Sequence, residues 1–292
     1  MRALHRLVPW YGHIALKIAM SFIPLPYGLL RHFGVRRHGL MDEPEYAFRT
    51  AVSHLSPVIK RGTAGFRVLE LGPGDSIAGG IVSYVFGAEE SVLVDEGDFV
   101  VREVSAYTRL FNLLSQKGFD VARLRAAGDF EELLDQARIT LLTRGISSLE
   151  QLRSHSIDVF FSQAVLEHVR AAEFSTLASE TARLLRPYGY ASHEIDFRDH
   201  IGGALNNLRY SERLWESRLF LRGGFYTNRF RLSDFLRRFE SAGLWCEVTH
   251  TEAWDSVPMP RNALAPAFLH YNESELCIRV ARVLLTLEEV HG

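Results

Sequence analysis

Short apolar runs that alternate with longer helix-forming stretches constrain the fold of this chain more than any other feature. Five runs have the residue types of buried strands, at 65–72, 91–96, 138–145, 157–163 and 189–196. Apolar residues recur at helical spacing in the stretches between them, as expected of the crossovers that connect parallel strands. The pattern predicts an α/β fold with a Rossmann-like, doubly wound, mostly parallel sheet. Two more strand-like runs, 244–250 and 275–286, bring the predicted sheet to seven strands.

The chain divides by its pattern into an N-terminal segment and one large domain. Residues 1–62 are predicted to form a helical arm or lid, and residues 63–292 a domain with an insertion at 197–230. Lys17 interrupts the apolar start of the arm, and the uncharged stretch after it is too short to cross a membrane. Three roles stay open for the arm: packing on its own domain, docking of residues 1–30 on a membrane surface, and covering an acceptor site.

Composition excludes several classes of protein. The net charge of −2 gives no case for nucleic-acid binding. The two cysteines, Cys246 and Cys277, form no CxxC motif and no cluster with histidines, which argues against a disulfide scaffold or a structural zinc site. This cysteine usage fits a reducing cytoplasm, and no metal ligand is predicted.

Gly72 and Gly74, directly after the first strand-like run, predict a loop that touches a cofactor. A nicotinamide or flavin fingerprint needs a third glycine at position 77, where this chain has Ile77, and a P-loop needs a lysine that is missing here. Glu70 before the glycines suits a ligand amine, and the helix N-terminus after them suits a carboxylate. An amino acid carries both groups, and an amino acid joined to a nucleoside is S-adenosylmethionine.

Asp95 supports this interpretation from the end of the second strand-like run. It stands 21 residues after Gly74, close to the spacing at which an acid binds a ribose hydroxyl. The alternative is that Asp95 caps the N-terminus of the helix predicted over residues 97–118.

At this point four segments resemble the successive motifs of the class I S-adenosylmethionine-dependent methyltransferases. In chain order they are VLELGPGDS at 68–76, VLVDEGD at 92–98, IDVFFSQAVLEHV at 157–169 and LLRPYGYASHEID at 184–196. The resemblance covers residues 63 to about 252. It implies methyl transfer, S-adenosylmethionine as the cofactor, and an antiparallel last strand in the sheet.

The resemblance also implies a role for seven residues around the cofactor. The methionine part is surrounded by Glu70, Gly72 and Gly74, the ribose is held by Asp95, and the wall beneath the sulfonium is formed by Ser162, Gln163 and Ala164. The family often has an acid after its third strand that holds the adenine amine. This chain has Thr143 and Arg144 there, which leaves adenine recognition to backbone groups.

Two histidines are candidates for the base that would deprotonate an acceptor. His193 lies in the fifth strand-like run, and His168 lies just after the fourth. An imidazole has a pKa suited to neutral pH. The alternatives are that His193 is a buried structural histidine and that His168 orients its loop.

The insertion at 197–230 follows the carboxyl end of a strand and so covers the predicted active-site face. It mixes arginines with aromatic residues, which would suit an anionic or sugar-like acceptor. The alternative is a helical lid whose arginines pair with its own Glu212 and Glu216. Single-stranded nucleic acid is disfavoured by the overall charge.

The sequence therefore predicts a methyltransferase that acts on a small-molecule or glycan-type acceptor, at an oxygen atom. Two other functions stay open. One is a non-catalytic S-adenosylmethionine-binding partner protein, and the other, disfavoured by Ile77, is a nicotinamide-dependent oxidoreductase.

Overall fold

A computed structural model describes residues 12, 14, 40–221 and 224–288 of the chain. Seven strands form one sheet: β1 (Phe66–Leu71), β2 (Ala88–Val94), β3 (Ile139–Leu142), β4 (Ile157–Gln163), β5 (Leu185–Asp196), β6 (Leu244–Ala253) and β7 (Ile278–Leu287). Most of the N-terminal arm lies outside the described residues, so its three proposed roles stay open.

The α-helices of the described residues precede, connect or follow these strands. They are α1 (Pro44–Lys60), α2 (Ala78–Val85), α3 (Thr108–Gln116), α4 (Ala122–Arg125), α5 (Phe130–Gln136), α6 (Phe174–Leu184), α7 (Glu212–Trp215), α8 (Arg218–Leu221), α9 (Leu232–Glu240) and α10 (Glu273–Cys277). None of the helices within the described residues is long and apolar enough to cross a membrane.

The strand order in the sheet is β3-β2-β1-β4-β5-β7-β6. Neighbouring strands from β3 to β5 pair in parallel, whereas β7 pairs antiparallel with both β5 and β6. The predicted α/β fold is confirmed, including its antiparallel last strand. The order reverses between β1 and β4, so the ends of these strands open a crevice at the edge where ligands bind in such sheets.

Apolar side chains cover the sheet on both faces. One core cluster packs α1, α2 and α3 against the first face, with Val68 and Phe161 among its strand residues. The other packs α6 and α9 against the second face, with Leu69 and Phe160 among its strand residues. Successive residues of a strand point to opposite faces, so Glu70 lies on the α2 face and His193 on the α9 face.

Two helices begin later than their apolar spacing predicts. The helix expected from residue 97 begins only at Thr108, because the Val101 N–H donates to the Asp75 carbonyl at 3.0 Å and holds the preceding segment extended. Apolar residues at helical spacing from residue 164 onward also predict a helix, but α6 begins only at Phe174. The Asn228 side chain there donates to the carbonyls of Leu166 and Val169, which a continuous helix would have used itself.

Helix α9 differs from its prediction at its first residue. Ser233 has a residue type that suits the capping position, but the helix begins at Leu232 with Arg231 in that position. The Asp234 carboxylate accepts from the Arg231 N–H at 3.0 Å, which is the half of a capping box that the third helical residue supplies. Gly243, with φ of 80°, follows this helix, as its sequence position predicts.

Candidate active site

The glycine loop lies at the carboxyl end of β1, in the crevice of the sheet. Gly72 and Gly74 have φ of 73° and 64°, a region that glycine enters without steric cost. A Cβ on Gly72 would lie 2.4 Å from Cγ2 of Val165, so this loop packs directly on the segment after β4. The two glycines thus join the ends of β1 and β4 at the switch point.

Asp95 follows β2 and holds this loop. Its Oδ2 accepts from the Gly74 N–H at 3.0 Å, and its Oδ1 accepts from its neighbour Glu96. The next α-helix begins only at Thr108, so Asp95 caps no α-helix. The structure therefore favours an acid that faces the glycine loop over the capping alternative.

Glu70 is a buried carboxylate beneath the same loop, with 3% of its surface exposed. A Cβ on Gly79 would lie 2.1 Å from its Oε2, which places the carboxylate against the first turn of α2. Oε2 has no hydrogen-bond partner among the described residues. Burial, and then the charge of Asp95, raise the pKa of Glu70 to about 8.

The three residues predicted to form the wall beneath the sulfonium lie together at the end of β4. Ser162 points into the core, where its hydroxyl bonds Nδ1 of His193 at 2.8 Å. Gln163 points to the opposite face. Ala164 has φ of 52°, a left-handed conformation, and its N–H donates to the Glu194 carbonyl at 2.8 Å. The backbone of this turn is therefore fixed to β5.

Gln163 belongs to a polar chain that links α1 to the end of the sheet. Its Oε1 accepts from Nε2 of His54 at 3.1 Å, and its amide donates to Glu194, which also binds Arg282 at 2.5 Å. Burial, and then Arg282, lower the pKa of His54 to about 4, so the ring is neutral.

The sequence analysis did not single out His54. Its spacing from Ala47, Ala51 and Val58 nevertheless places it on the buried face of α1.

His193 lies in the aromatic core rather than in the crevice. Its ring is 1% exposed, stacks on Phe239 at 5.9 Å and meets the edge of Phe160 at 5.4 Å. Burial lowers its pKa to about 3. This placement favours the structural alternative for His193, with a bond to the Ser162 side chain instead of the backbone.

His168, in contrast, is exposed at the carboxyl edge of the sheet, in the turn Leu166–His168. Its Nδ1 lies 3.1 Å from the Tyr226 carbonyl, and its ring meets that of His200 with centroids 4.7 Å apart. The adjacent Glu167 is 3% exposed, and burial holds the pKa of its carboxyl well above the usual range. A buried acid and two histidines therefore meet at this edge.

A small pocket opens beside Glu167. Among its lining residues are Asn207, Thr227, Asn228 and Arg229, all from the predicted insertion. Oδ1 of Asn207 is buried and has no hydrogen-bond partner among the described residues. The insertion thus covers the carboxyl edge of the sheet, as its place after β5 predicts.

Three arginines of the insertion bind the protein itself. Arg198 binds both oxygens of Asp196, Arg209 donates to Asn206 at 3.0 Å, and Arg229 donates to the Tyr210 carbonyl at 2.7 Å. These contacts favour a folded lid over a set of arginines held ready for an anionic acceptor. The lid alternative predicted ion pairs of these arginines with Glu212 and Glu216, and the three arginines instead bind Asp196, Asn206 and the Tyr210 carbonyl.

Comparisons with known proteins identify a methyltransferase domain in part of this chain. A family model described as a methyltransferase domain matches residues 113–192, which run from within α3 to within β5. The glycine loop and Asp95 lie outside the matched residues. A comparison with curated proteins gave no match.

Several solved structures are similar to this chain at low sequence identity. A putative sarcosine dimethylglycine methyltransferase from Galdieria sulphuraria is 16% identical with a TM-score of 0.48, over 88% of this chain and 96% of the other. An arsenic (III) S-adenosylmethionine methyltransferase from Chlamydomonas reinhardtii is 17% identical with a TM-score of 0.45, over 82% and 73%. Magnesium protoporphyrin IX methyltransferase from Synechocystis PCC 6803 is 16% identical with a TM-score of 0.45, over 82% of each chain.

The residues that match the family model include β4, whose carboxyl end carries the predicted wall, and the first part of β5. The matched residues include the third of the four sequence motifs and most of the fourth. Residues 113–192 are therefore identified as part of a methyltransferase domain, and the sheet has the fold that the resemblance to the class I S-adenosylmethionine-dependent methyltransferases implies.

Proposed function

We propose that this enzyme methylates an oxygen atom of a small-molecule or glycan-type acceptor. The observation that carries the proposal is the edge where β4 and β5 end. There the buried, unpartnered carboxylate of Glu167 adjoins a pocket lined by Asn207, Thr227 and Asn228. Oδ1 of Asn207, which has no partner among the described residues, can accept from an acceptor hydroxyl, whereas an acceptor without a donor would leave this oxygen unsatisfied.

The residues of the crevice fit the cofactor. The unpartnered Oε2 of Glu70 supplies an acceptor for the amine of the methionine part, and the Asp95 carboxylate supplies acceptors for the ribose hydroxyls. The fixed backbone of Ala164 forms the adjoining wall. When bound, S-adenosylmethionine supplies a methyl group that is already activated by its sulfonium.

The protein then has two tasks, to orient the acceptor oxygen and to remove its proton. His168 is our candidate for the second task, because it is exposed at the acceptor edge. His193 is not carried into this role, since its ring is buried between Phe160 and Phe239. The insertion would exclude water from the acceptor.

Methyl transfer with tritiated cofactor and fractionated cell extract tests the proposal. We expect a labelled small molecule or glycan whose new methyl group is attached to oxygen, as mass spectrometry would show. Label on nitrogen or carbon would contradict the choice of oxygen. Product of any kind would exclude a non-catalytic cofactor-binding partner, the main alternative function.

An Asp95→Ala variant tests the cofactor site separately. We expect S-adenosylhomocysteine binding to weaken by about 1–3 kcal/mol, the usual loss when a buried hydrogen-bond partner is removed. Asp135→Ala is the matched control, because Asp135 is an exposed carboxylate on α5. Equal affinities of the two folded variants in calorimetry would refute the ribose assignment.

A further inference from the structure

Three metal-ligating side chains meet at the acceptor edge, from two separate segments of the chain. Glu167 and His168 belong to the turn after β4, and His200 belongs to the insertion after β5. One ligand atom from each of the three lies within 4.8 Å of the others. Sequence reasoning missed this group because His200 is remote from the other two in the chain.

Glu167 gives an independent indication of a bound cation. Both of its carboxylate oxygens are buried and make no hydrogen bond of standard geometry among the described residues, and their nearest donors are the backbone N–H groups of Glu167 and Asp196. Its electrostatic neighbours include the acids Glu194 and Asp196. Arg198 also acts on Glu167, but its guanidinium is bound to both oxygens of Asp196. An uncompensated buried carboxylate is costly, and a metal ion is one of the few partners that satisfy it.

His168 is oriented as metal-binding histidines usually are. A carbonyl oxygen only accepts, so Nδ1 of His168 carries the proton that it donates to Tyr226 at 3.1 Å. In the neutral ring the lone pair then lies on Nε2. A backbone carbonyl on the other ring nitrogen is the common outer partner of a histidine ligand, and it fixes both tautomer and orientation.

We propose that Glu167, His168 and His200 bind a divalent first-row transition ion of the zinc type. Two imidazoles and a carboxylate form a known zinc ligand set, which leaves a fourth position open. Tetrahedral ligands at zinc distances lie about 3.4 Å apart, so binding draws the three groups closer together. The exposed ring of His200 can supply this movement by a change of rotamer.

The role of the ion rests on the proposed function, whereas its binding does not. In the open position the ion would hold the acceptor hydroxyl and lower its pKa. The hydroxyl proton then passes to solvent. The oxygen forms a bond to the methyl carbon as the bond from carbon to sulfur breaks, and the electron pair of that bond stays on sulfur. His168 then acts as a ligand instead of as the base.

Metal titration of the chelator-treated full-length protein tests the proposal. We expect Zn²⁺ to bind with a stoichiometry of about one by calorimetry, and Co²⁺ to give the visible absorption of a histidine-bound ion. His200→Ala should weaken Zn²⁺ binding by more than about 10–100-fold. That factor is the usual loss when a residue that only hydrogen-bonds a metal ligand is removed, and His200 would be a ligand itself. His250→Ala is the matched control, because His250 is an exposed histidine on the edge strand β6.

The outcomes separate this inference from the proposed function. Absence of stoichiometric Zn²⁺ binding, or equal affinity in the wild type and folded His200→Ala, overturns the metal site even if methyl transfer proceeds. Zn²⁺ binding that is lost in His200→Ala supports the site even if no oxygen-methylated product is found. In that second case only the proposed acceptor chemistry falls.

Discussion

Glu70 combines burial with a missing partner, and both properties bear on cofactor binding. Its pKa is raised to about 8, so in the ligand-free protein this carboxyl is mostly protonated at neutral pH. A ligand ammonium beside it would stabilise the charged form and lower that pKa again. Binding of the cofactor should therefore release a proton from Glu70.

We expect this release to approach about one proton per cofactor at pH 7. Calorimetry of S-adenosylmethionine binding in buffers of different ionisation enthalpy measures it directly. Glu70→Gln should abolish the dependence on buffer. Asp95→Asn should reduce it, since the charge of Asp95 contributes to the raised pKa. A wild-type binding enthalpy that is equal in all buffers would show that the amine does not contact Glu70.

The sequence predicted the place of individual site residues only at the ends of strands. Glu70, Asp95 and Gln163 each lie at the carboxyl end of a strand, where the topology alone brings side chains together. Which face a side chain takes depends on register, and this separates the buried His193 from the neighbouring Glu194. The placement of His200 depends on the path of a long insertion, for which local sequence holds no signal.

Helix α2 depends on a glycine in its first turn, for a reason that concerns Glu70. A glycine to alanine change inside a helix normally stabilises it by about 0.5–1 kcal/mol. At Gly79 the new Cβ would instead lie 2.1 Å from Oε2 and 2.6 Å from Cδ of Glu70. The buried carboxylate has little room to move away.

We therefore expect Gly79→Ala to lower the free energy of unfolding by about 1–3 kcal/mol, the usual cost of overpacking. In a Glu70→Ala background the clash is absent, and the same change should be neutral or stabilising. Urea unfolding of the wild type, both single variants and the double variant gives the coupling energy. Additive effects would mean that the two side chains do not compete for the same space.

The elements themselves were predictable to different degrees. The strands from β1 to β5 follow from apolar runs that are buried on both faces. The starts of α3 and α6 could not be predicted from the apolar spacing. Before α3 a long-range hydrogen bond to the Asp75 carbonyl replaces the local bonds of a helix, and before α6 hydrogen bonds from the Asn228 side chain do so. Apolar spacing continued through the segment before α6 because its turn buries Leu166 and Val169.

At the scale of the whole molecule, buried titratable groups act on stability in opposite directions. The raised pKa of Glu70 favours the folded state at low pH, and this contribution is lost as pH rises from 4.5 to about 8. The lowered pKa values of His54 and His193 have the opposite sign. Their contribution is complete above 6.5 and is lost as pH falls toward about 4 and about 3.

His193 offers a way to measure one of these contributions alone. In His193→Phe an aromatic ring of similar size remains between Phe160 and Phe239, but no group titrates there. Below pH 6.5 the unfolded wild-type chain takes up a proton at His193 that the folded protein does not. The free energy of unfolding of the wild type should therefore fall relative to that of the variant, by about 1.4 kcal/mol per pH unit between about pH 6 and about pH 5.

The loss of the bond to Ser162 in this variant is independent of pH, so it shifts the difference without changing its slope. Parallel unfolding curves for the wild type and His193→Phe across this range would mean that His193 takes up a proton in the folded state. That result would reopen a role for His193 in proton transfer, because only a ring in contact with water or a polar crevice would be protonated so readily.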